Sequence, residues 1–543
     1  MTPSLLHRIR LYFKSPAVIG YFIVALASVA LRAPLAHFPL ERDEGEYSYI
    51  AQRWLQGEIP YRASFDQKAP GVFAVYAVFE RWFGTSPAAI HWGTQIFTLM
   101  TLAIFVYLGN LWMSSAASLF GAAAFILMVL DPTVLGQSSN TEIFAILPLV
   151  AALGTLYVAL DRQSLIAAWS TGLLLSLACL FKQVAFVYII GSALLMLPLQ
   201  KRIGMLSSFF LGVMMVFSLV CSYFIQTGAW PQFLECVITY NREYATHLPL
   251  SECWWNLWVG LRPNLSTFWP VYSLAVYAII PVWRSFQDRT GLRLRNYKTL
   301  LSIWLFLSFL AVSIGGYYRP HYLVLLAPPA ALLAASQVEN LCRRYSGHHP
   351  LRSLSVLGTI LFVHCMLINS WYYFSSDQEN KEYRLYQATI FSVSARIADL
   401  VAMNSAPSER VFMLGCEPEI LYYAKRISAS RYIYINPLMI PSPSAMNRQV
   451  ETINYLKRNP PKVMVVFMRN LIGWVHDSPN DVFEETQSLL DTLPYHLVGL
   501  VPMVGDQALN VLSGQNARDM WKSSPVRLTD QRQYVAMVWK LDR

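Results

Sequence analysis

Charged residues are scarce in this chain of 543 residues. Lysine, arginine, aspartate and glutamate make up 14% of the sequence, and hydrophobic residues make up 55%. An ordinary soluble protein is about 25% charged. The composition therefore excludes an ordinary soluble protein and indicates a polytopic membrane protein.

Cysteine is also sparse, and its spacing lacks the patterns that bind metals. The seven cysteines form no Cys-x-x-Cys pair and no cysteine–histidine ligand spacing, so we expect no metal site. Cys236 and Cys253 share one long loop and could either form a disulfide or remain two free thiols. The G-x-G-x-x-G dinucleotide fingerprint is absent as well, and we expect no cofactor.

Long apolar runs, in contrast, are abundant. A helix needs roughly 20 apolar residues to cross a bilayer, and the sequence predicts about eleven such spans. They are 17–38, 88–110, 113–131, 142–160, 164–181, 184–200, 203–226, 268–283, 299–316, 321–338 and 353–374. The first run contains Ala27-Ser28-Val29-Ala30, which resembles a signal-peptide cleavage site. It is longer than the roughly 7–15 apolar residues of a signal peptide, so we interpret it as an uncleaved anchor.

The formal net charge of +10 reflects membrane topology. The segment from Ser375 onward has 18 basic and 17 acidic residues, so the excess lies in the membrane part and no nucleic-acid partner is expected. With the N-terminus in the cytoplasm, the loops and chain ends on that side contain 14 bases against three acids, as the positive-inside rule requires. The loop after the first span and the region beyond Phe374 then lie outside the cytoplasm.

We predict two domains. Residues 1–374 form an α-helical polytopic membrane domain with two long external loops, 39–87 and 227–267. Residues 375–543 alternate strand-like with helical patterns, which predicts an extracytoplasmic α/β domain with parallel strands. The strand-like runs are Val411–Leu414, Tyr432–Ile435 and Val463–Phe467.

The first external loop has the pattern of two interfacial helices. Apolar residues recur at helical spacing from Tyr47 to Trp54, which predicts an amphipathic helix at the membrane surface. Gly57 and Pro60 should end it. A second helix is expected over 71–83, because Pro70 suits the start of a helix. The second loop is rich in tryptophan, which is typical of a segment anchored at lipid headgroups.

Charged residues crowd the start of this first loop. Arg42-Asp43-Glu44-Gly45-Glu46 has four charges in five residues, and Asp66-Gln67-Lys68 follows. Charge is costly at the membrane and is often retained there for function. Transfer of a sugar from an isoprenoid phosphate needs a base for the acceptor proton and cations for the departing phosphate. Asp43 fits the base and Lys68 fits the cation.

Three further polar segments interrupt apolar sequence on the same predicted side. Two of their basic residues, Lys182 and Arg319, are candidate phosphate ligands, since arginine offers a planar fork and lysine a compact charge. The segments are 137–142, 181–183 and 317–322.

These segments resemble motifs of the GT-C superfamily, glycosyltransferases that use polyprenyl-phosphate sugars. Asp43-Glu44 resembles the acidic signature that follows the first span of that superfamily. The segment 65–71 resembles the lysine–proline motif of the members related to aminoarabinose transferases and protein O-mannosyltransferases. Asn140-Thr141-Glu142-Ile143-Phe144, Phe181-Lys182-Gln183 and Pro320-His321-Tyr322-Leu323 are similar to that group too. Over residues 15–375 the chain is most similar to bacterial RgtA/B/C/D-like transferases.

The resemblance implies an inverting, metal-independent sugar transfer on the outer face of a bacterial plasma membrane. It implies Asp43 as the base and Lys68 at the lipid phosphate. We therefore predict Asp43 and Glu44 as the catalytic residues, and Lys68, Lys182 and Arg319 as the donor phosphate ligands. Some relatives have an arginine where this chain has Glu46, so phosphate binding must depend more on those three bases. The expected substrate contacts are Glu46, Tyr47, Asp66, Gln67, Asn140, Glu142, Tyr318, His321 and Tyr322.

The expected partners are a polyprenyl-phosphate sugar, an acceptor that is a lipid, a glycan or a protein, and the surrounding membrane lipids. Three alternatives remain at this point: a transporter or flippase for lipid-linked glycans, a non-catalytic assembly protein, and a ligase or polymerase that moves whole glycans from a lipid diphosphate. A transporter usually has ionisable residues near the bilayer midplane, whereas here most of them fall at one surface.

Overall fold

The structure is a computed structural model, and it describes residues 16–542 with several gaps. The bases Arg8, Arg10 and Lys14, which contribute to the predicted orientation, lie outside the described residues. The gaps are 247, 288–295, 346–349, 388, 441, 468–480, 505–506, 509, 527 and 529–533.

The described chain is mainly helical up to its last third. In chain order the α-helices are α1 (Pro16–Arg32), α2 (Arg42–Leu55), α3 (Gly71–Phe83), α4 (Pro87–Trp112), α5 (Ser115–Val129), α6 (Thr141–Arg162), α7 (Leu165–Cys179), α8 (Phe186–Met196), α9 (Arg202–Gln226), α10 (Trp230–Leu234), α11 (Asn241–Ala245), α12 (Leu250–Gln287), α13 (Tyr297–Ser313), α14 (Ala327–Tyr345), α15 (Pro350–Ile368) and α16 (Ser370–Tyr373). Short 3₁₀ turns connect several of them, including Gln183–Ala185 and Pro320–Leu326.

The last third alternates helices and strands. Its elements are α17 (Gln378–Tyr386), α18 (Ile390–Met403), β1 (Arg410–Leu414), α19 (Glu419–Ala424), β2 (Ile427–Ser428), α20 (Asn436–Met439), α21 (Pro443–Arg458), β3 (Val463–Phe467), α22 (Asp481–Thr492), β4 (Tyr495–Val504), β5 (Gln507–Ala508), β6 (Leu512–Ser513), α23 (Gly514–Ser523) and β7 (Tyr534–Leu541).

The chain divides into two compact units that are not contiguous in sequence. Unit 1 comprises 1–37, 90–223 and 248–375, and unit 2 comprises 38–89, 224–247 and 376–543. Most of the predicted first external loop therefore belongs to the same unit as the C-terminal segment. The predicted second external loop is shared, because α10 and α11 lie in unit 2 and α12 begins in unit 1.

Unit 1 is a bundle of apolar helices. Among the described residues of the chain, six helices are long and apolar enough to cross a membrane, and five shorter apolar helices accompany them. Each of them overlaps one of the eleven predicted spans, so the chain is a multi-pass membrane protein. The helix that begins at Leu250 starts within the predicted loop 227–267, well before the predicted span 268–283. The exact number of crossings stays a prediction, because the shorter helices have only 10–17 residues.

Glycines allow helices of unit 1 to approach closely. A Cβ atom at Gly172 of α7 would lie 2.0 Å from the Phe209 carbonyl oxygen of α9, and one at Gly212 of α9 would lie 2.1 Å from the Trp169 carbonyl oxygen of α7. The contact is reciprocal, and helices in lipid rely on such small residues for packing. Any larger side chain at either position must separate the two backbones.

Unit 2 is built on a mixed sheet. The strand order is β2-β1-β3-β7-β4-β5, with β6 paired to β4. β1 is parallel to β2 and β3, whereas β7 runs antiparallel to both β3 and β4. The predicted α/β class is confirmed, but the prediction of parallel strands holds for only one half of the sheet.

The expectation of a strand over Tyr432–Ile435 is wrong. The four side chains are buried, and the Ile435 N–H donates to the Gly415 carbonyl oxygen (2.9 Å). Ile427–Ser428 occupies the place beside β1 instead. The run is apolar because it crosses the core, and a short buried apolar run does not by itself distinguish a strand from irregular structure.

Helices α2 and α3, which were predicted to be interfacial, belong to unit 2. The Leu40 N–H donates to the Tyr423 hydroxyl (2.9 Å), and the Ser428 N–H donates to the Tyr49 hydroxyl (2.8 Å). The Phe65 N–H donates to the Arg431 carbonyl oxygen (2.6 Å). The loop that contains the acidic segment is therefore tied by backbone hydrogen bonds to the C-terminal segment.

A buried acid in α3 makes the stability of unit 2 depend on pH. Glu80 is buried, neither carboxyl oxygen has a hydrogen-bond partner among the described residues, and burial raises its pKa to about 8. The unfolded-state pKa is about 4.3, so the folded protein loses about 1.4 kcal/mol of stability for each pH unit between these values.

We expect Glu80→Gln to remove this dependence, because glutamine has the same shape and does not ionise. In detergent, its thermal unfolding midpoint should exceed the wild-type midpoint at pH 8 and nearly match it at pH 4, where the carboxyl group is mostly protonated in the unfolded chain too. Replacement of the half-buried Glu485, which is paired with Lys457, by glutamine should raise the midpoint at neither pH. A Glu80→Gln gain of equal size at both values would contradict the assignment of a neutral, buried carboxyl group.

Candidate functional site

The first turn of α2 is stabilised by its own acids. The Glu41 side chain accepts from the Asp43 N–H (3.2 Å), and the Glu44 side chain accepts from the Glu41 N–H (3.1 Å). This reciprocal arrangement is a capping box, and carboxylates also suit the positive end of a helix dipole. Glu44 is thus held in a structural contact. Its predicted catalytic role stays a prediction.

Asp43 lies beside Lys68, the second residue predicted from a separate motif. The Lys68 Nζ atom is 3.6 Å from Asp43 Oδ2, and the Tyr47 hydroxyl donates to the same oxygen (3.4 Å). Lys68 Nζ also lies 5.2 Å from the centre of the Tyr47 ring. The Asp43 side chain keeps 27% of its surface exposed, so its carboxylate remains accessible to a substrate.

The backbone of Lys68 is fixed from both directions. Its N–H donates to Asp66 Oδ1 (2.8 Å), and its carbonyl oxygen accepts from the Tyr61 hydroxyl (2.8 Å). The neighbouring Gln67 carbonyl oxygen accepts from the Asn241 amide (2.6 Å). The lysine therefore presents its ammonium group from a rigid turn.

Two buried carboxyl groups lie behind this pair. Glu46 and Asp66 are 3% and 0% exposed, and burial raises the pKa of both. Their mutual repulsion raises the pKa of Glu46 further, while Lys68 holds the pKa of Asp66 down. The hydrogen bond between the two side chains raises the pKa of Glu46 and lowers the pKa of Asp66.

The other predicted residues form a cluster within unit 1. Lys182 Nζ lies 2.7 Å from Glu142 Oε1 and 4.1 Å from the centre of the Tyr322 ring. The Thr141 hydroxyl donates to the other Glu142 oxygen (2.9 Å), and the His321 and Tyr322 rings pack edge to face with their centres 4.8 Å apart. Three segments that are distant in sequence thus meet around one lysine.

Asn140 and Arg319 occupy different settings in unit 1. Asn140 precedes α6 and is buried, and neither atom of its amide has a hydrogen-bond partner among the described residues. Arg319 is exposed, and its guanidinium lies 5.7 Å from the centre of the Tyr317 ring. Tyr318, which lies between Tyr317 and Arg319 in the chain, has a positive φ of 44°, an uncommon conformation for a residue with a side chain.

Arg32, which holds the loop that leads to Asn140, was not predicted from the sequence. Arg32 is buried, its Nε donates to Gln95 (2.9 Å), and its two terminal nitrogens donate to the Gly136 and Gln137 carbonyl oxygens (3.2 and 3.4 Å). Its signal in the sequence was its position at the end of the first apolar run. An arginine at that position is usually interpreted as an ordinary residue of the membrane boundary.

Cys416 and Glu417 of unit 2, which contact Arg42 next to the proposed base, were missed as well. The available signal was Gly415-Cys416-Glu417 directly after a predicted strand, where α/β proteins often place functional residues.

The described residues contain no group of three or more histidine, cysteine, aspartate or glutamate side chains that could hold a metal ion. All seven cysteines, including Cys236 and Cys253, are free thiols.

We expect the Lys182–Glu142 pair to be a strong determinant of the stability of unit 1. Removing one partner of a buried ion pair typically costs about 3–5 kcal/mol, because the remaining charge loses its compensation. Lys182→Met should therefore lower the thermal unfolding midpoint in detergent strongly. Lys182→Met combined with Glu142→Gln should recover most of the loss, and a double variant as unstable as Lys182→Met would contradict this interpretation.

Comparison with known proteins shows the fold. No protein-family model matches the chain, and no curated protein matches its sequence. The structure of ArnT from Cupriavidus metallidurans in the apo state matches with a TM-score of 0.60 and 13% sequence identity, covering 96% of this chain and 97% of that one. The same protein bound to undecaprenyl phosphate matches with a TM-score of 0.58, the same identity and the same coverage. The predicted GT-C fold is thereby confirmed.

Proposed function

We propose that this protein is an integral membrane glycosyltransferase that moves a sugar from a polyprenyl-phosphate donor to a lipid, glycan or protein acceptor. The observation that carries the proposal is the 3.6 Å approach of Lys68 to Asp43, two residues from separate motifs that offer a cation and a base. The fold supports it, since a structural neighbour of the same fold binds undecaprenyl phosphate. We place the reaction on the extracytoplasmic face of a bacterial plasma membrane, following the predicted orientation.

In the proposed reaction Asp43 takes the proton of the acceptor hydroxyl or amine. The acceptor atom forms a bond to the anomeric carbon from the side opposite the phosphate, and the carbon–oxygen bond to the phosphate breaks. The bonding electron pair leaves with the phosphate as polyprenyl phosphate, and the configuration at the anomeric carbon inverts. The acceptor proton ends on Asp43 Oδ, which passes it to solvent through its exposed edge.

Lys68 has two partners in this scheme. Without donor it lies near Asp43, where its positive charge favours the ionised carboxylate and weakens it as a base. An arriving donor phosphodiester carries one negative charge, as the Asp43 carboxylate does, and gains a second when the bond to the sugar breaks, so the ammonium group is drawn to the phosphate as the reaction proceeds. Lys68 then stabilises the charge that grows on the phosphate, and Asp43 becomes more basic. Lys182 and Arg319 are proposed as further phosphate ligands.

The neighbouring residues hold this arrangement in place. Tyr47 orients Asp43, and Asp66 fixes the backbone of Lys68. Glu46, Gln67, Asn140, Glu142, Tyr318, His321 and Tyr322 are proposed as substrate contacts. No metal is invoked, because a lysine supplies the positive charge that phosphate departure requires.

The direct test uses purified protein in proteoliposomes with undecaprenyl-phosphate sugars of several kinds and a total bacterial lipid extract as acceptor. Release of undecaprenyl phosphate from one donor, dependent on the extract, is the expected result. Mass spectrometry of copurified lipid supplies a second readout. A polyprenyl monophosphate sugar agrees with the proposal, whereas a diphosphate-linked oligosaccharide that the protein consumes would replace it with a ligase or polymerase.

A further inference from the structure

The loop after β1 binds the residue that precedes the proposed base. Arg42 Nε donates to the Cys416 carbonyl oxygen (2.7 Å), and Arg42 Nη2 lies 3.4 Å from Glu417 Oε1. The other Glu417 oxygen accepts from the Cys416 N–H (2.7 Å). Glu417 is fully buried, so its carboxylate is fixed by its own loop on one side and faces Arg42 on the other.

A second contact follows one turn further along α2. A Cβ atom at Gly45 would lie 2.4 Å from the Glu419 Cβ and 2.7 Å from the Glu419 backbone nitrogen. Only glycine therefore permits α2 and the start of α19 to touch at this point. Glu419 is itself held by the Ser394 hydroxyl, which donates to its Oε1 (2.7 Å).

These contacts lie on both sides of Asp43 in sequence. The Leu40 N–H donates a hydrogen bond to Tyr423, and the Arg42 side chain donates one to the loop after β1. Gly45 packs against Glu419. Asp43 is thus bracketed by residues that the C-terminal segment holds, while its own carboxylate faces Lys68 and Tyr47.

The location of the contact is informative. In open α/β sheets, ligands usually bind outside the carboxyl ends of parallel strands. β1 is parallel to both of its neighbours, and its carboxyl end contacts α2 of the same chain instead of a small molecule. In this protein, the edge of the sheet that commonly binds a ligand instead contacts α2, the helix that contains the proposed base.

We propose that Glu417 is a positioning residue for Asp43, and that holding the first turn of α2 is a role of the C-terminal α/β segment. This inference rests on the proposed function, in which Asp43 is the base. Glu417 fixes the Arg42 guanidinium, Arg42 fixes the start of α2, and the direction of the Asp43 side chain follows from the position of that turn. Glu417 itself touches no substrate.

The test separates a positioning role from a structural one by comparing rate with binding. Glu417→Gln keeps the shape of the side chain but removes its charge. A displacement of about 1 Å in a catalytic group can cost roughly 100-fold in rate, so we expect kcat for undecaprenyl phosphate release to fall by about 10- to 100-fold. The Kd for undecaprenyl phosphate should stay unchanged, and Arg42→Lys should give an intermediate kcat, because lysine keeps the charge but loses the fork.

A double-mutant cycle shows whether Glu417 acts through Asp43. In the Asp43→Asn background, Glu417→Gln should cause no further loss of rate, because the residue that it positions has already lost its function. A further loss of the same size in that background would overturn the proposal. The matched control is the ion pair between Lys457 of α21 and Glu485 of α22, whose charged atoms are 2.7 Å apart. Neither residue belongs to α2, so Lys457→Gln and Glu485→Gln should leave kcat unchanged.

Hydrogen–deuterium exchange tests the link without depending on catalysis. Glu417→Gln should speed exchange of the amides in 42–50 and leave those of β7 unchanged, as expected for local loosening. Unchanged exchange in 42–50 would overturn the link, and faster exchange with unchanged kcat would overturn the positioning role. If Asp43→Asn transfers sugar like the wild type, Asp43 is not the base and Glu417 has no base to position, whereas the exchange result still decides whether Glu417 holds α2. If the wild type releases undecaprenyl phosphate from no donor, the proposed function fails, and the exchange result is unaffected.

Discussion

Asp43→Asn is expected to abolish most sugar transfer while leaving the protein folded and able to bind donor. Asparagine keeps the size of the side chain and can still accept from Tyr47, but it cannot take a proton. Loss of a general base typically costs about 10²–10⁴-fold in rate. Asp43 is partly exposed and is not part of the core, so its replacement should change stability little.

The measurement is the rate of undecaprenyl phosphate release in proteoliposomes, together with the affinity for undecaprenyl phosphate. Glu58→Gln is a matched control, because Glu58 lies in the same external loop and pairs with Arg53 instead of Lys68. A variant of Asp43 that keeps more than about a tenth of the wild-type rate, against the loss expected of a base, would show that Asp43 is not the base. Glu44 would then be the next residue to replace.

Lys68→Ala should differ from Asp43→Asn by damaging binding and rate together. A cation at the donor phosphate acts in the ground state and in the transition state alike, so its loss raises KM and lowers kcat. Removing one group that stabilises developing negative charge typically costs about 10²–10³-fold in kcat. The measurement is a full kinetic profile with the donor that the proteoliposome assay selects, and a separate binding isotherm for undecaprenyl phosphate.

Two controls belong to this experiment. Lys68→Arg keeps the charge and should retain part of the affinity, whereas Lys457→Ala removes a lysine from α21 of the same unit and should have no effect. An unchanged affinity for undecaprenyl phosphate in Lys68→Ala would show that Lys68 is not a phosphate ligand. In that case the 3.6 Å approach to Asp43 would be a surface ion pair, which typically contributes about 0–1 kcal/mol.

The two ion pairs have different consequences. Both lysines are nearly buried, but Asp43 keeps 27% of its side-chain surface exposed and lies 3.6 Å from Lys68, whereas Glu142 is fully buried and lies 2.7 Å from Lys182. A loose, solvated pair can exchange partners at little cost, while a tight buried pair resists it. Lys68 is therefore the better placed of the two lysines to move toward an arriving phosphate.

Local patterns determined a large part of this protein. The apolar runs predicted the positions of the membrane helices, because a span is defined by about 20 consecutive residues. The second interfacial helix was predicted over 71–83 and forms over Gly71–Phe83, since its signals, Pro70 and the apolar spacing, lie within the helix itself. The pairing of Asp43 with Lys68 was expected in outline, as both residues belong to one loop.

The C-terminal sheet was predicted less completely. β1 and β3 were recognised from their own residues, but the antiparallel half built from β4 and β7 was not. Strand direction depends on which strand lies next in the sheet, and β7 pairs with residues about 70 positions earlier in the chain. Tyr432–Ile435 was assigned to a strand for the same reason, because burial was visible in the sequence and the partner was not.

Sequence by itself determined the multi-pass membrane class, the positions of the apolar helices and of the two helices in the loop after the first of them, and the residue types proposed to handle a phosphate and a proton. Only the tertiary structure decided that 38–89 belongs with the C-terminal segment, that Glu142 pairs with Lys182, and that Glu417 faces Arg42. The first group depends on hydrophobicity and helical spacing, which neighbouring residues set. The second depends on contacts between residues about 40 to 375 positions apart, which form only when the core packs and which no local pattern records.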